Sequence, residues 1–210
     1  MESENYKIIR DFISDEEKSL IVNWISNKSH SGEAKNVHLK ELGKTLSGNS
    51  FIFDISKTQL TQYITNFQSV SDPSSEEIPD EIMTIIFRVS KKMNFPTDNI
   101  FLQAVDMNKG GKIDPHYDAS IEGYINYKCN ISVLSEDYNL YLDRSVIRIN
   151  SGDLYGFEAS LYKHWTDEFN SRRVFLSIGF LIPYSVVGRT STDPRVRLSR
   201  RIEKYFQNTH

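Results

Sequence analysis

Apolar residues recur at spacings of three and four in two stretches of the first hundred residues, then alternate with polar ones through most of the second hundred. Tyr6 to Ile9 reads as a short strand. Ser14 is placed as a helix N-cap, with Glu17 three residues on completing a capping box. Leu20, Ile21, Trp24 and Ile25 fall on one face of the predicted helix, which is expected to end near Asn27 or Lys28. Residues 29–49 turn polar and glycine-bearing and read as a mobile loop, of a length uncommon unless it is a lid or disordered. Phe51 to Ile55 reads as a strand and Gln59 to Phe67 as a short helix. Pro79 opens an amphipathic helix through Ile82, Ile85, Ile86, Val89 and Met93.

Beyond Pro96 the period changes from helical to extended. Predicted strands are Ile100 to Met107, Ile113 to Asp118, Tyr127 to Leu134, Leu140 to Leu142, Val146 to Ile149, Asp153 to Phe157 and Val174 to Pro183. Turn-formers such as Gly110-Gly111 and Ser151-Gly152 join them. Helices followed by a run of strands predict an α+β fold, with helices packed on a β-sandwich or open barrel rather than alternating βαβ units. No internal repeat is visible. The last stretch, Arg189 to Lys204, is rich in arginine and reads as a basic tail: a solvated terminal helix, or a patch for an anionic partner.

At 210 residues the chain is long enough for one substantial core and short for two domains. A net charge of -3 gives no global push toward nucleic acid. Cys129 is the only cysteine, so no intramolecular disulfide framework or cysteine zinc cluster can form, in keeping with a reducing, intracellular, cytoplasmic setting. No apolar run is long enough to span a bilayer, and Met1 to Arg10 lacks a signal-peptide core.

Candidate chemistry changes this picture. His116-Tyr117-Asp118 ends an extended segment, and residues two apart on a strand share a face, so an imidazole and a carboxylate can converge on one ion. His164 follows 48 positions later, just beyond another predicted strand. Two histidines and one carboxylate are the facial triad of non-haem Fe(II) sites, which leaves positions open for co-substrate and oxygen. Arg173 opens Arg-Val-Phe-Leu-Ser-Ile-Gly. On a strand it shares a face with Phe175, Ser177 and Gly179, which aligns a guanidinium with a hydroxyl and suits a carboxylate; Arg172 would lie on the other face. Each residue also has a plainer role open to it. Asp118 could cap a turn, Asp114 could merely begin the Asp-Pro turn, His164 could be a loop histidine beside Trp165, and Arg173 could pair with Glu168. A Zn(II) hydrolase could use the same ligands with Glu158 or Asp167 as general base. His30, His38 and His210 read as surface residues.

On these residues the chain resembles the Fe(II)/2-oxoglutarate dioxygenases. Met107 to Asp118 is similar to that superfamily's approach to its first two ligands, Ser151-Gly152-Asp153 to the Gly-Asp before the strand leading to the second histidine, and Arg173 to Ser177 to the co-substrate arginine strand of the AlkB-like branch. The resemblance covers roughly residues 100–184. It implies a double-stranded β-helix (jelly-roll) core with N-terminal helices on one face. The expected layout is a single domain over 1–188, with a helical and lid portion at 1–98 and the core at 99–188, then the tail at 189–210. It implies Fe(II) at His116, Asp118 and His164, 2-oxoglutarate at Arg173 and Ser177, and O2 as second co-substrate. Val105, Met107 and Gly179 stand where AlkB-like enzymes carry an Asn, a Tyr and a second arginine, while prolyl-hydroxylase-like relatives commonly use a lysine in place of Arg173. The branch is left open. So is the substrate: a protein side chain, a small metabolite or alkylated nucleic acid, the third favouring a demethylase. A non-catalytic binding module would not need all four of His116, Asp118, His164 and Arg173. Residues 29–49 and 119–126, with Tyr124, are expected to border the substrate. The sequence does not set the oligomeric state.

Overall fold

The computed structural model describes residues 6–30, 49–54, 78–95, 100–107, 109–118 and 123–187. The expected helix at 59–67 and the basic tail lie outside these residues, as does most of the 29–49 loop. The elements are β1 (Tyr6–Ile9), α1 (Asp15–His30), β2 (Asn49–Asp54), α2 (Asp80–Met93), β3 (Ile100–Met107), β4 (Ile113–His116), β5 (Tyr124–Leu134), β6 (Tyr138–Leu142), β7 (Ser145–Ile149), β8 (Leu154–Glu158), β9 (His164–Thr166) and β10 (Arg173–Pro183).

The strands form two antiparallel sheets. The larger has the order β1-β8-β5-β10-β3-β2 and the smaller β4-β9-β6-β7. Both edges of the larger sheet come from the first 98 residues, as β1 pairs with β8 and β2 with β3. The N-terminal portion therefore supplies strands to the core as well as helices.

Alternation along the strands sets what each face meets. On the outer face, Leu102, Ala104, Cys129, Ile131, Val133, Val174, Leu176 and Ile178 form one core with Ile21 and Ile25 of α1 and Ile82, Ile85, Ile86 and Val89 of α2. On the inner face, Tyr155 and Phe157 of β8 pack against Tyr138, Leu140, Leu142, Ile147 and Ile149 of the smaller sheet.

Local signals hold the helices in register. Ser14 and Glu17 exchange the two capping-box hydrogen bonds: the Ser14 N–H donates to Glu17 Oε2 at 2.9 Å and the Glu17 N–H to Ser14 Oγ at 3.3 Å. Arg88 of α2 then grips Glu17 through Nη1 and Nη2, each at 2.9 Å, and ties the two helices together. Asn94 ends α2 in the left-handed conformation, φ 57°. The Gly152 turn, at φ 97°, lets its carbonyl accept the N–H groups of Phe12 and Ile13. The buried Asp153 beside it pairs with Arg10.

Three sequence expectations need correcting. α1 runs to His30, a little past Asn27 or Lys28. The strand expected to reach Asp118 ends at His116, because the Asp118 N–H leaves the ladder and donates to the Ala159 carbonyl at 2.9 Å. His164 is not in a loop: it opens β9, three residues long and paired with both β4 and β6.

Candidate metal centre

The β4–β9 ladder sets His116 directly opposite His164, and their rings approach to 4.2 Å between centroids. Asp118, two residues past His116, joins them. His116 Nε2 lies 3.3 Å from Asp118 Oδ1 and His164 Nε2 lies 3.9 Å from the same oxygen. One ligand atom from each residue fits within 4.8 Å of the others. Atoms each about 2.1 Å from one ion stand about 3 Å apart at right angles, so a small inward adjustment closes this set on a single metal.

The ring orientations follow from the backbone. His116 Nδ1 lies 2.7 Å from the Asp114 carbonyl, and His164 Nδ1 lies 3.0 Å from the Tyr162 carbonyl. A carbonyl only accepts, so in the neutral ring Nδ1 carries the proton and the bare Nε2 faces Asp118. Asp114 thus serves His116 through its backbone, while its carboxylate pairs with Lys112 at 2.9 Å. His164 is 7% exposed, and burial, reinforced by the neighbouring His116, lowers its pKa to about 3. It is neutral at pH 7, as a metal ligand must be.

His116, Asp118 and His164 open onto a cavity that also meets Gln103, Lys128, Asn130, Leu140, Tyr155, Phe157, Phe175 and Ser177. Its floor is a cross-strand row of the larger sheet, Tyr155–Asn130–Ser177–Gln103. Lys128, on the next row, places Nζ 2.6 Å from Asp118 Oδ2.

Arg173 lies on the same inner face, four residues from Ser177, and is fully buried. Its Nη2 donates to the Tyr138 hydroxyl at 2.7 Å and the Tyr155 hydroxyl at 3.3 Å. The guanidinium carbon sits 4.3, 4.6 and 4.2 Å from the ring centres of Tyr138, Phe169 and Phe175. Nε and Nη1 have no hydrogen-bond partner among the described residues, and no described carboxylate, Glu168 included, pairs with this cation. A buried guanidinium with two idle donors is costly unless an anion completes it, so the site fits a carboxylate ligand. Arg172 instead points outward, gripping Asp106 through Nε and Nη2, each at 2.8 Å, and Ser26 through Nη2.

Other candidates fall elsewhere. Neither Glu158 nor Asp167 lines the cavity; Asp167 accepts a hydrogen bond from Tyr141 at 2.6 Å on the exposed side of the smaller sheet. Trp165 stacks on Tyr141 there. Val105 and Met107 face inward but form a small apolar cluster with Phe175. Sequence reasoning missed Lys128, Asn130, Gln103, Tyr138 and Tyr155. The polar alternation of Lys128-Cys129-Asn130-Ile131-Ser132 was the available signal. Of the residues expected to border the substrate, Tyr124 to Asn126 belong to β5, and 119–122 lie outside the described residues.

No protein family and no curated protein matches the sequence. The fold does have solved counterparts. A Pseudomonas putida prolyl-4-hydroxylase aligns at TM-score 0.56 and 9% identity, over 85% of this chain and 92% of that one. OsALKBH1 aligns at 0.61 and 14%, over 86% and 99%. The viral collagen prolyl hydroxylase of Paramecium Bursaria Chlorella virus-1, solved as a 2OG complex, aligns at 0.51 and 12%, over 86% and 97%. At such identities the likeness is one of fold.

Proposed function

We propose that this protein is an Fe(II)- and 2-oxoglutarate-dependent dioxygenase on a double-stranded β-helix core, hydroxylating a C–H bond of a protein side chain or small molecule. The observation that carries the reading is a pairing. A two-histidine, one-carboxylate cluster opens onto a cavity, and a buried, carboxylate-free arginine lies on the same inner face. A hydrolytic zinc centre would account for the cluster but not for Arg173. The fold shared with prolyl hydroxylases, one of them solved with 2OG, supports the same reading.

In this reading His116, Asp118 and His164 hold Fe(II), and Arg173, with Ser177, takes the distal carboxylate of 2-oxoglutarate. Bound together, metal and co-substrate supply O2 activation coupled to oxidative decarboxylation, with succinate and CO2 as co-products. The chain's own part is positional. The carbonyls of Asp114 and Tyr162 fix the two imidazoles so that Nε2 is offered and Nδ1 keeps its proton. Tyr138 and Tyr155 hold the guanidinium edge in place, and burial keeps the Tyr155 hydroxyl protonated far above its ordinary range. Leu140, Phe157 and Phe175 make the cavity wall apolar around the polar floor, which limits water at the reacting centre.

The test is succinate release from 2-oxoglutarate under Fe(II) and air, with and without peptide pools or methylated oligonucleotides. Uncoupled turnover that His116→Ala and Asp118→Ala abolish is expected, with peptide pools raising it. Stimulation by methylated oligonucleotide alone would move the assignment to nucleic-acid demethylation. No succinate under any condition would reject the oxygenase.

A further inference from the structure

Lys128 has no part in the metal triad or the Arg173 subsite, yet it reaches the cavity. It sits mid-strand in β5, opposite Phe157 of β8 on one side and Gly179 of β10 on the other. Its neighbours Cys129 and Ile131 point into the apolar outer core, so the lysine is committed to the inner face. Gly179 has no side chain to share that row. The Lys128 side chain is 18% exposed, and its ammonium lies 2.6 Å from Oδ2 of a carboxylate that is 5% exposed.

This divides the two oxygens of Asp118. Oδ1 faces both imidazoles, and Oδ2 is in ion-pair contact with Lys128. The carboxylate is thereby set to offer one oxygen to an ion. The charge count matters more. The Lys128 ammonium offsets the negative charge of Asp118, the one carboxylate of the cluster. A divalent cation added alone meets a ligand set whose negative charge is already offset, whereas a cation with an anionic chelator brings its own.

We propose that Lys128 is a positioning residue that couples metal binding to binding of an anionic 2-oxo acid, disfavouring the metal-only state and favouring the metal with its chelator. The proposal rests on the oxygenase reading and adds to it a charge beside the metal ligands, separate from the buried Arg173. Coupling of this kind is reciprocal: whatever factor the acid adds to metal affinity, the metal adds to acid affinity.

The test uses the full-length apoprotein and Mn(II), followed by calorimetry without ligand, with saturating 2-oxoglutarate, and with saturating pyruvate, which has the oxo-acid head but no distal carboxylate. Wild type is expected to bind Mn(II) about tenfold or more tightly with either acid. Lys128→Met is expected to lose most of that gain with both acids, and Arg173→Met to lose it with 2-oxoglutarate only. Lys128→Arg should restore it. Lys128→Gln, which keeps a hydrogen-bond donor without the charge, should behave like the Met variant and covers the case in which that one does not fold. A wild-type gain that persists in Lys128→Met or Lys128→Gln overturns the proposal and leaves the oxygenase standing. Absence of any gain with 2-oxoglutarate in wild type overturns both.

Discussion

The two faces of β10 are buried equally and for different ends. Outward, Val174, Leu176 and Ile178 are fully excluded from solvent among the isoleucines of the two helices. Inward, Arg173 is equally excluded, yet two of its nitrogens have no described partner, and Ser177 joins a polar row along a cavity. The outer face is complete as folded. The inner face is complete only with a ligand, and unsatisfied buried polarity rather than burial itself marks the difference.

That contrast can be broken by substitution. Leu176→Ala should cost about 3 kcal/mol of stability, seen in denaturant unfolding, because it empties space in the outer core. It should leave the 2-oxoglutarate affinity of the folded fraction unchanged. Arg173→Met should do the reverse. Its stability should stay within about 1 kcal/mol of wild type, since an unpaired buried charge is replaced by an apolar chain of similar length. Its 2-oxoglutarate affinity should fall by roughly 100-fold, as charge-assisted bonds to a carboxylate are lost. A stable Leu176→Ala, or an Arg173→Met that unfolds while the surviving protein binds 2-oxoglutarate normally, would erase the distinction.

Arg172→Met sharpens it at one residue's remove. Losing the paired grip on Asp106 should cost about 1 kcal/mol in thermal or chemical unfolding and leave 2-oxoglutarate affinity as in wild type. The smallest effect belongs to Glu17, whose pKa is held below its ordinary 4.5, chiefly by the hydrogen bond from Arg88. A carboxyl depressed in the folded state adds stability that is fully present above the unfolded value and fades as pH falls through the folded one. Glu17→Gln should therefore cost about 1 kcal/mol or less near neutrality and almost nothing in strong acid, measured as unfolding midpoint against pH.

Most of the strand pattern was legible because period-two alternation survives burial on one face. Leu102 and Ala104, or Ile131 and Val133, point to an apolar side whatever the partner strand. β9 was not legible: His164-Trp165-Thr166 is too short to show a period, and its pairing with β4 and β6 comes from distant chain. The spacing of His116 and Asp118 announced a shared direction, and the structure does set them at one cavity, although Asp118 reaches it from beyond the strand end. The side of β10 that Arg173 shares with Ser177 followed from parity alone. Lys128 and Asn130 were hidden for the opposite reason. Polar residues alternating with Cys129 and Ile131 normally mean a solvent-facing surface, and only the second sheet lying over them turns that surface inward.

The most direct measurement is a crystal structure with Mn(II) and 2-oxoglutarate. The account predicts one anomalous peak within about 2.3 Å of His116 Nε2, His164 Nε2 and a single oxygen of Asp118, with the acid's distal carboxylate against the Arg173 guanidinium. Metal bound anywhere else, or the three side chains remaining apart with the acid absent from Arg173, would contradict it.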